Sequence, residues 1–273
     1  LTYSPAKEYA AFCISTCNVQ ENSYDQHLYT YRDGQVKQLT AAAKESSFFF
    51  QDENHVVFIN KKTSDAHNTE LFRIDVRGGE AVKLCSIPLS IGEMSVLDDK
   101  YYLAQVTVDV TCPDYYSLRE EKKAERRQYE KENEDYQVLD EYPYCFNGAC
   151  FINHQRNQLF LIDRETFAIT PVCPVFTDVE TFDVSLDKKQ ILYSAQVYKT
   201  FKGKWSQVYC YDVQTGETTT LYDGTTMQIQ RAFWYEGQPI VLGTFAETYG
   251  AMENSKFYKL KDNAMTLWID FDG

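Results

Sequence analysis

Four histidines, His27, His55, His67 and His154, are the imidazoles that could serve as a base or metal ligand. None stands in a His-x-x-x-His or His-Glu-x-x-His spacing, so helical zinc chemistry has no template. The sequence has no Gly-x-Ser-x-Gly run, and so lacks the strained turn that exposes a serine nucleophile in an α/β-hydrolase. Gly78-Gly79 reads as a hairpin turn, not a phosphate loop. The eight cysteines include no Cys-x-x-Cys pair and are spread through stretches that read as strands. This pattern predicts free structural thiols. No cofactor is implied.

Carboxylates are abundant: Asp and Glu total 40 against 27 Lys and Arg, for a formal charge of −13. Most fall in turns or in one charged run, where solvation is their ordinary fate. A surface of this sign repels a phosphate backbone, so nucleic acid is not an expected partner. No apolar run approaches the ~20 residues that cross a bilayer, so no membrane contact is expected. With no Asn-x-Ser/Thr sequon present, a cytoplasmic origin is expected. Leu1 already lies inside a repeated word, suggesting a mature or excised piece.

The elements that must position any chemistry announce themselves as that repeat. Ser185-Leu186-Asp187-Lys188-Lys189-Gln190-Ile191-Leu192-Tyr193-Ser194 is a polar turn leading into an apolar strand. Related words begin at Ser4, Gln51, Leu97 and Trp234. A second, aromatic-rich word follows each: Leu28-Tyr29-Thr30-Tyr31, Leu71-Phe72-Arg73-Ile74-Asp75, Leu159-Phe160-Leu161-Ile162-Asp163, Val208-Tyr209-Cys210-Tyr211-Asp212 and Lys256-Phe257-Tyr258. Its aromatic marker recurs after 43 positions from Tyr29 to Phe72, 49 from Phe160 to Tyr209 and 48 from Tyr209 to Phe257. Only the 88 positions from Phe72 to Phe160 break step.

A unit of about 45 residues holding four short strands is the size of a propeller blade. The composition, with 21 Tyr and 17 Phe, suits half-buried pleated surfaces. Asp33-Gly34, Thr215-Gly216 and Asp223-Gly224 supply turns that tolerate positive φ. A β-sandwich would share the alternation but not the period. The expected architecture is therefore an all-β propeller over residues 1–273, with about five repeat units visible and a seven-bladed parent ring left open. A helical insertion at about 114–141 accounts for the long gap. There, Ser117-Leu118-Arg119-Glu120 offers a capping box for a helix over 117–136 with a thin apolar stripe of Leu118, Tyr129 and Tyr136.

The insertion ends in Asp140-Glu141-Tyr142-Pro143-Tyr144-Cys145-Phe146-Asn147-Gly148, followed by a strand closing on Ile162-Asp163. This stretch, with the Ser-Pro words, resembles the propeller of prolyl oligopeptidase family serine peptidases of the acylaminoacyl-peptidase-like branch. The resemblance spans the chain only as that family's N-terminal, non-catalytic half. It implies an α/β-hydrolase domain in cis, absent here, that supplies the nucleophile, base and oxyanion hole, while the propeller gates access of a peptide substrate. This chain alone is then inactive. Glu141, Tyr142, Tyr144 and Asn147 are the candidate substrate or domain-interface residues, and no catalytic or metal residue is assigned. The same side chains could instead pack a blade edge. Two other readings fit the repeat: a free-standing propeller that binds a protein or glycan, and a small glycoside-cleaving propeller with converging carboxylates. An incomplete ring would expose sheet edges, so self-association is expected of it.

Overall fold

The structure is a computed structural model, and it describes residues 1–61, 63–147 and 150–270. The repeated words become four-stranded antiparallel sheets. The first holds β1 (Thr2–Tyr3), β2 (Ala10–Asn18), β3 (Ser23–Arg32) and β4 (Gln35–Gln38), in that order. The second holds β5 (Glu45–Phe50), β6 (His55–Asn60), β7 (Thr69–Asp75) and β8 (Val82–Ile87). The third begins with β9 (Ile91–Val96) and β10 (Tyr101–Asp109).

The chain then leaves the sheet for a 3-10 turn at Tyr115–Ser117, helix α1 (Glu120–Glu132) and a two-stranded ribbon of β11 (Cys145–Phe146) and β12 (Cys150–Phe151). It returns as β13 (Gln155–Asp163) and β14 (Ile169–Pro171), which complete the third sheet in the order β14-β13-β10-β9. The excursion therefore splits the second strand of that sheet from the third, which is why Phe72 and Phe160 stand 88 positions apart. Two further sheets follow, β15 (Thr177–Val184) to β16 (Gln190–Val197), β17 (Gln207–Asp212) and β18 (Thr218–Tyr222), then β19 (Gln228–Tyr235) to β20 (Gln238–Thr244), β21 (Lys256–Lys261) and β22 (Ala264–Ile269).

The words repeat in hydrogen bonds as well as letters. The Ser4 N–H donates to Tyr9 O and the Ser185 N–H to Gln190 O, both at 2.9 Å. In each turn the serine Oγ accepts the N–H five residues on, from Tyr9 at 3.0 Å and from Gln190 at 2.9 Å. Lys7 and Lys188 occupy the same left-handed position, with φ of 62° in both. The aspartate closing the second word also has a fixed task. Asp163 Oδ1 accepts the Thr166 N–H at 2.8 Å, and Asp212 Oδ1 accepts the Thr215 N–H at 2.8 Å, capping the turn into the last strand.

Contacts group the chain into two compact units, residues 1–107, 114–123 and 161–169, and residues 108–113, 124–160 and 170–273. In the first unit, the two leading sheets bury Ala11, Leu28, Phe50, Val56, Phe58 and Ile74 in one core. In the second, Leu192, Val208, Met227, Ala232, Val241 and Tyr258 do the same for the last two sheets. A strand covered on both faces is buried at successive positions, not alternate ones: in β16, residues Ile191 to Gln196 are all buried, Ser194 and Gln196 included. The first strand of the second, fourth and fifth sheets carries a bulge, between Ser46 and Phe48, Val179 and Thr181, and Ile229 and Arg231. Freed side chains near these bulges tie sheet to sheet. The Met94 N–H donates to Ser47 Oγ at 3.0 Å, and the Ala232 N–H to Thr181 Oγ1 at 3.1 Å.

The helix begins later and stops earlier than the sequence pattern suggests. Ser117 is the last residue of the 3-10 turn, its hydroxyl donating to Asp114 O at 2.9 Å, and the helix starts at Glu120 instead of directly after Ser117. No residue of α1 is buried. Arg126 reaches from the helix to Asp109 at 2.6 Å and Thr111 Oγ1 at 3.1 Å, and pairs with Glu130 within the helix at 2.5 Å.

Candidate functional site

The insertion meets β13 at an arginine that lies inside a strand. Arg156 and Glu141 form a bidentate pair, Nη2 to Oε1 at 2.8 Å and Nη1 to Oε2 at 3.0 Å, with side-chain exposures of 0% and 3%. Two charges taken this far from water survive only with nearly complete hydrogen bonding. Arg156 also donates to Gln155 O and Tyr198 O, and the Tyr198 ring lies 3.7 Å beneath its guanidinium carbon. Glu141 Oε2 accepts the His154 N–H at 2.9 Å as well. Burial pushes the Tyr198 phenol above its ordinary range, with Asp178 adding to the effect.

A second charged group lies alongside. Lys202 donates to Asp178 Oδ2 at 2.8 Å and stands 3.3 Å from Glu180 Oε1. Asp178 Oδ1 accepts the Asn157 N–H, so the strand carrying Arg156 is tied to β15. Gln196 donates to Glu180 Oε1 at 3.0 Å, and Ser206 donates to Glu180 Oε2. Burial works against the Lys202 ammonium, but Asp178 and Glu180 outweigh it and hold its pKa above the ordinary value.

Between these groups the insertion is bound backbone to backbone. The Tyr142 N–H donates to Thr200 O at 2.8 Å, and the Lys202 N–H donates to Tyr142 O at 2.9 Å. The rings of Tyr142 and Phe201 stack at 5.9 Å with 8° between their planes. Tyr142 and Phe201 are each 62% exposed, so the stacked pair stands open to solvent.

The residues picked out from the sequence therefore separate by role. Glu141 faces inward with both carboxylate oxygens engaged, an anchor and not a free ligand. Tyr142 and Tyr144 are exposed on the ribbon side, and Tyr144 O accepts the Ile152 N–H at 2.9 Å. Asn147 lies exposed in the turn after β11, and the Gly148 that follows it lies outside the described residues. Arg156, Tyr198, Phe201 and Lys202 complete the arrangement. Sequence spacing missed them, although an arginine ahead of the apolar run Leu159 to Ile162 was a visible anomaly.

The ring partners of His55 are the carboxylate oxygens of Asp52, at 2.9 Å. Those of His154 are Asp140 at 2.6 Å and Asn153 at 3.3 Å. His67 stacks on Tyr115 at 4.2 Å. Among the described residues, no group of three or more His, Cys, Asp or Glu side chains is arranged around a metal position. Among the described residues, seven cysteines are free thiols, and burial pushes those of Cys13, Cys85 and Cys173 up to about 11.

No family model matches the sequence, and no curated protein matches it either. Solved structures do. The chain aligns over 96% of its length with 37% of Pyrococcus horikoshii acylaminoacyl peptidase, at 17% identity and a TM-score of 0.61. It covers 37% of a Mycobacterium tuberculosis puromycin-hydrolyzing peptidase at 9% identity and a TM-score of 0.53. A Synechocystis apocarotenoid oxygenase matches at 11% identity and a TM-score of 0.51, with 60% of that chain covered. Likeness at these identities fixes a fold shared by different chemistries, not an activity. The chain is thus a β-propeller of four-stranded sheets, alike in fold to little more than a third of two peptidases that run well beyond it.

Proposed function

We propose that the chain is the non-catalytic propeller domain of a cytoplasmic serine oligopeptidase of acylaminoacyl-peptidase-like type, covering residues 1–273 with its helical insertion. Its partner is an α/β-hydrolase domain in cis, and its task is to limit access of peptides to that domain. The supporting observation is the coverage: 96% of this chain corresponds to 37% of an acylaminoacyl peptidase, leaving the rest of that peptidase for chemistry this sequence has no motif for. In this reading Glu141 positions the loop, while Tyr142, Tyr144 and Asn147 meet the peptide or the hydrolase domain, since loops on a rigid scaffold carry binding.

The test is to follow the reading frame past Gly273 and assay the encoded product. An α/β-hydrolase domain with a Gly-x-Ser-x-Gly elbow is expected. The two-domain protein should cleave short chromogenic peptides and spare folded proteins, and residues 1–273 alone should turn over neither. A frame that stops without such a domain, or hydrolysis by the purified 273-residue chain that a serine-directed reagent blocks, overturns the proposal.

A further inference from the structure

From Glu132 to Gln155 the chain carries five carboxylates and no Lys or Arg. Glu141 is neutralised by Arg156 and Asp140 meets His154 Nε2 at 2.6 Å, while Glu134 and Asp135 lie with Asp140 in a run, residues 134–140, that is exposed at every position. Interleaved with them are exposed apolar side chains: Tyr136, Val138, Leu139, Tyr142 and Phe146, with Phe201 stacked alongside. The cations of the adjoining loop are directed elsewhere, Lys202 to Asp178 and Glu180 and Lys199 over the Phe176 ring.

An exposed apolar surface of this density marks an interaction site, and its charge selects the partner. We infer that the surface formed by residues 134–146 with Phe201 docks a basic, apolar polypeptide segment, one that alternates Lys or Arg with aliphatic or aromatic side chains. The anchored geometry favours this use. The Tyr142 backbone is fixed by bonds to Thr200 and Lys202 next to the buried Glu141–Arg156 pair, and its ring stacks on Phe201, so it is ordered before a partner arrives. A second copy of the chain is a poorer fit, because each carries −13 and would bring like charge to an acidic face. That such a segment is a substrate rests on the peptidase reading above; that it binds does not.

The test is fluorescence anisotropy with the purified 273-residue chain and labelled, unstructured 12-residue peptides. One alternates Lys with Leu and Phe, one replaces Lys by Glu, and one replaces Leu and Phe by Ser. Saturable binding of the first alone is expected, weakening as salt rises. The exposed substitutions Glu134→Gln, Asp135→Asn and Asp140→Asn together should weaken binding about 10-fold. Tyr142→Ser with Phe201→Ser should weaken it at least ~10-fold. An unchanged Tm in the triple variant confirms folding.

Equal binding of the Glu peptide, no binding of the Lys peptide at millimolar concentration, or affinity unmoved in both variants overturns the inference. Concentration-dependent dimerisation abolished by the same substitutions, assigning the face to a second copy, also overturns it. A hydrolase domain missing from the gene would defeat the peptidase reading and leave this result standing.

Discussion

Arg156 Nη2 and Glu141 Oε1 meet at 2.8 Å with almost no solvent between strand β13 and the end of the insertion. The 15 positions that separate them include the whole β11–β12 ribbon. This single contact therefore fixes both ends of the ribbon.

Removing one partner should cost more than removing both. Glu141→Gln or Arg156→Met each leaves an uncompensated charge or an orphaned donor set, at about 3–5 kcal/mol. The pair Glu141→Leu with Arg156→Met should be milder than either single change. Urea unfolding of the three variants checks this, and a double variant worse than both singles refutes it.

The aspartates ending the second repeat word predict the acid response. Asp163 is held below the usual carboxylate range by the Thr166 N–H, Asp212 by the Thr215 N–H, and Asp75 by the Arg77 side chain. A folded pKa below the unfolded one stabilises the protein above the unfolded value, about 3.9, and that stability is lost as pH falls towards the folded value. The Tm should fall steeply below about pH 4. In Asp212→Asn the acid limb should be shallower, because the amide oxygen still accepts but no longer titrates.

Two glycines without positive φ give opposite expectations. A Cβ on Gly243 would stand 2.4 Å from Gln228 O, opposite the bulge of β19, so backbone must move. Gly243→Ala should destabilise by about 1–3 kcal/mol. On Gly203 the nearest atom would be Gln196 Oε1 at 3.7 Å. Gly203→Ala should stay within about 0.5 kcal/mol of the parent, as read by thermal unfolding.

Thiol labelling should follow burial. Cys17 and Cys145 are exposed, whereas Cys13, Cys85 and Cys173 have thiols pushed up to about 11 and hold little thiolate at pH 8. Mass spectrometry after brief iodoacetamide treatment should find Cys17 and Cys145 modified well before those three.

The period and the turns were legible because both are local. Ser4 and Ser185 specify the same five-residue loop through their own hydroxyls, and the Asp163 and Asp212 turns close within three residues. The candidate site was only half legible. Glu141, Tyr142 and Tyr144 stood out by type, but their partners Arg156, Tyr198 and Phe201 lie 15 to 59 positions downstream, where no short pattern reaches. The helix start went wrong for a related reason: Ser117 is taken up in the 3-10 turn, its hydroxyl donating to Asp114 O, and the helix begins only at Glu120.

The clasp of Tyr142 between Thr200 and Lys202 makes the long excursion between β10 and β13 an internal part of the molecule, not an ornament. Joining Asp109 directly to Gln155 would keep every strand of the third sheet yet leave the buried Arg156 guanidinium without the Glu141 carboxylate that pairs with it. A trimmed version would have to replace Arg156 at the same time.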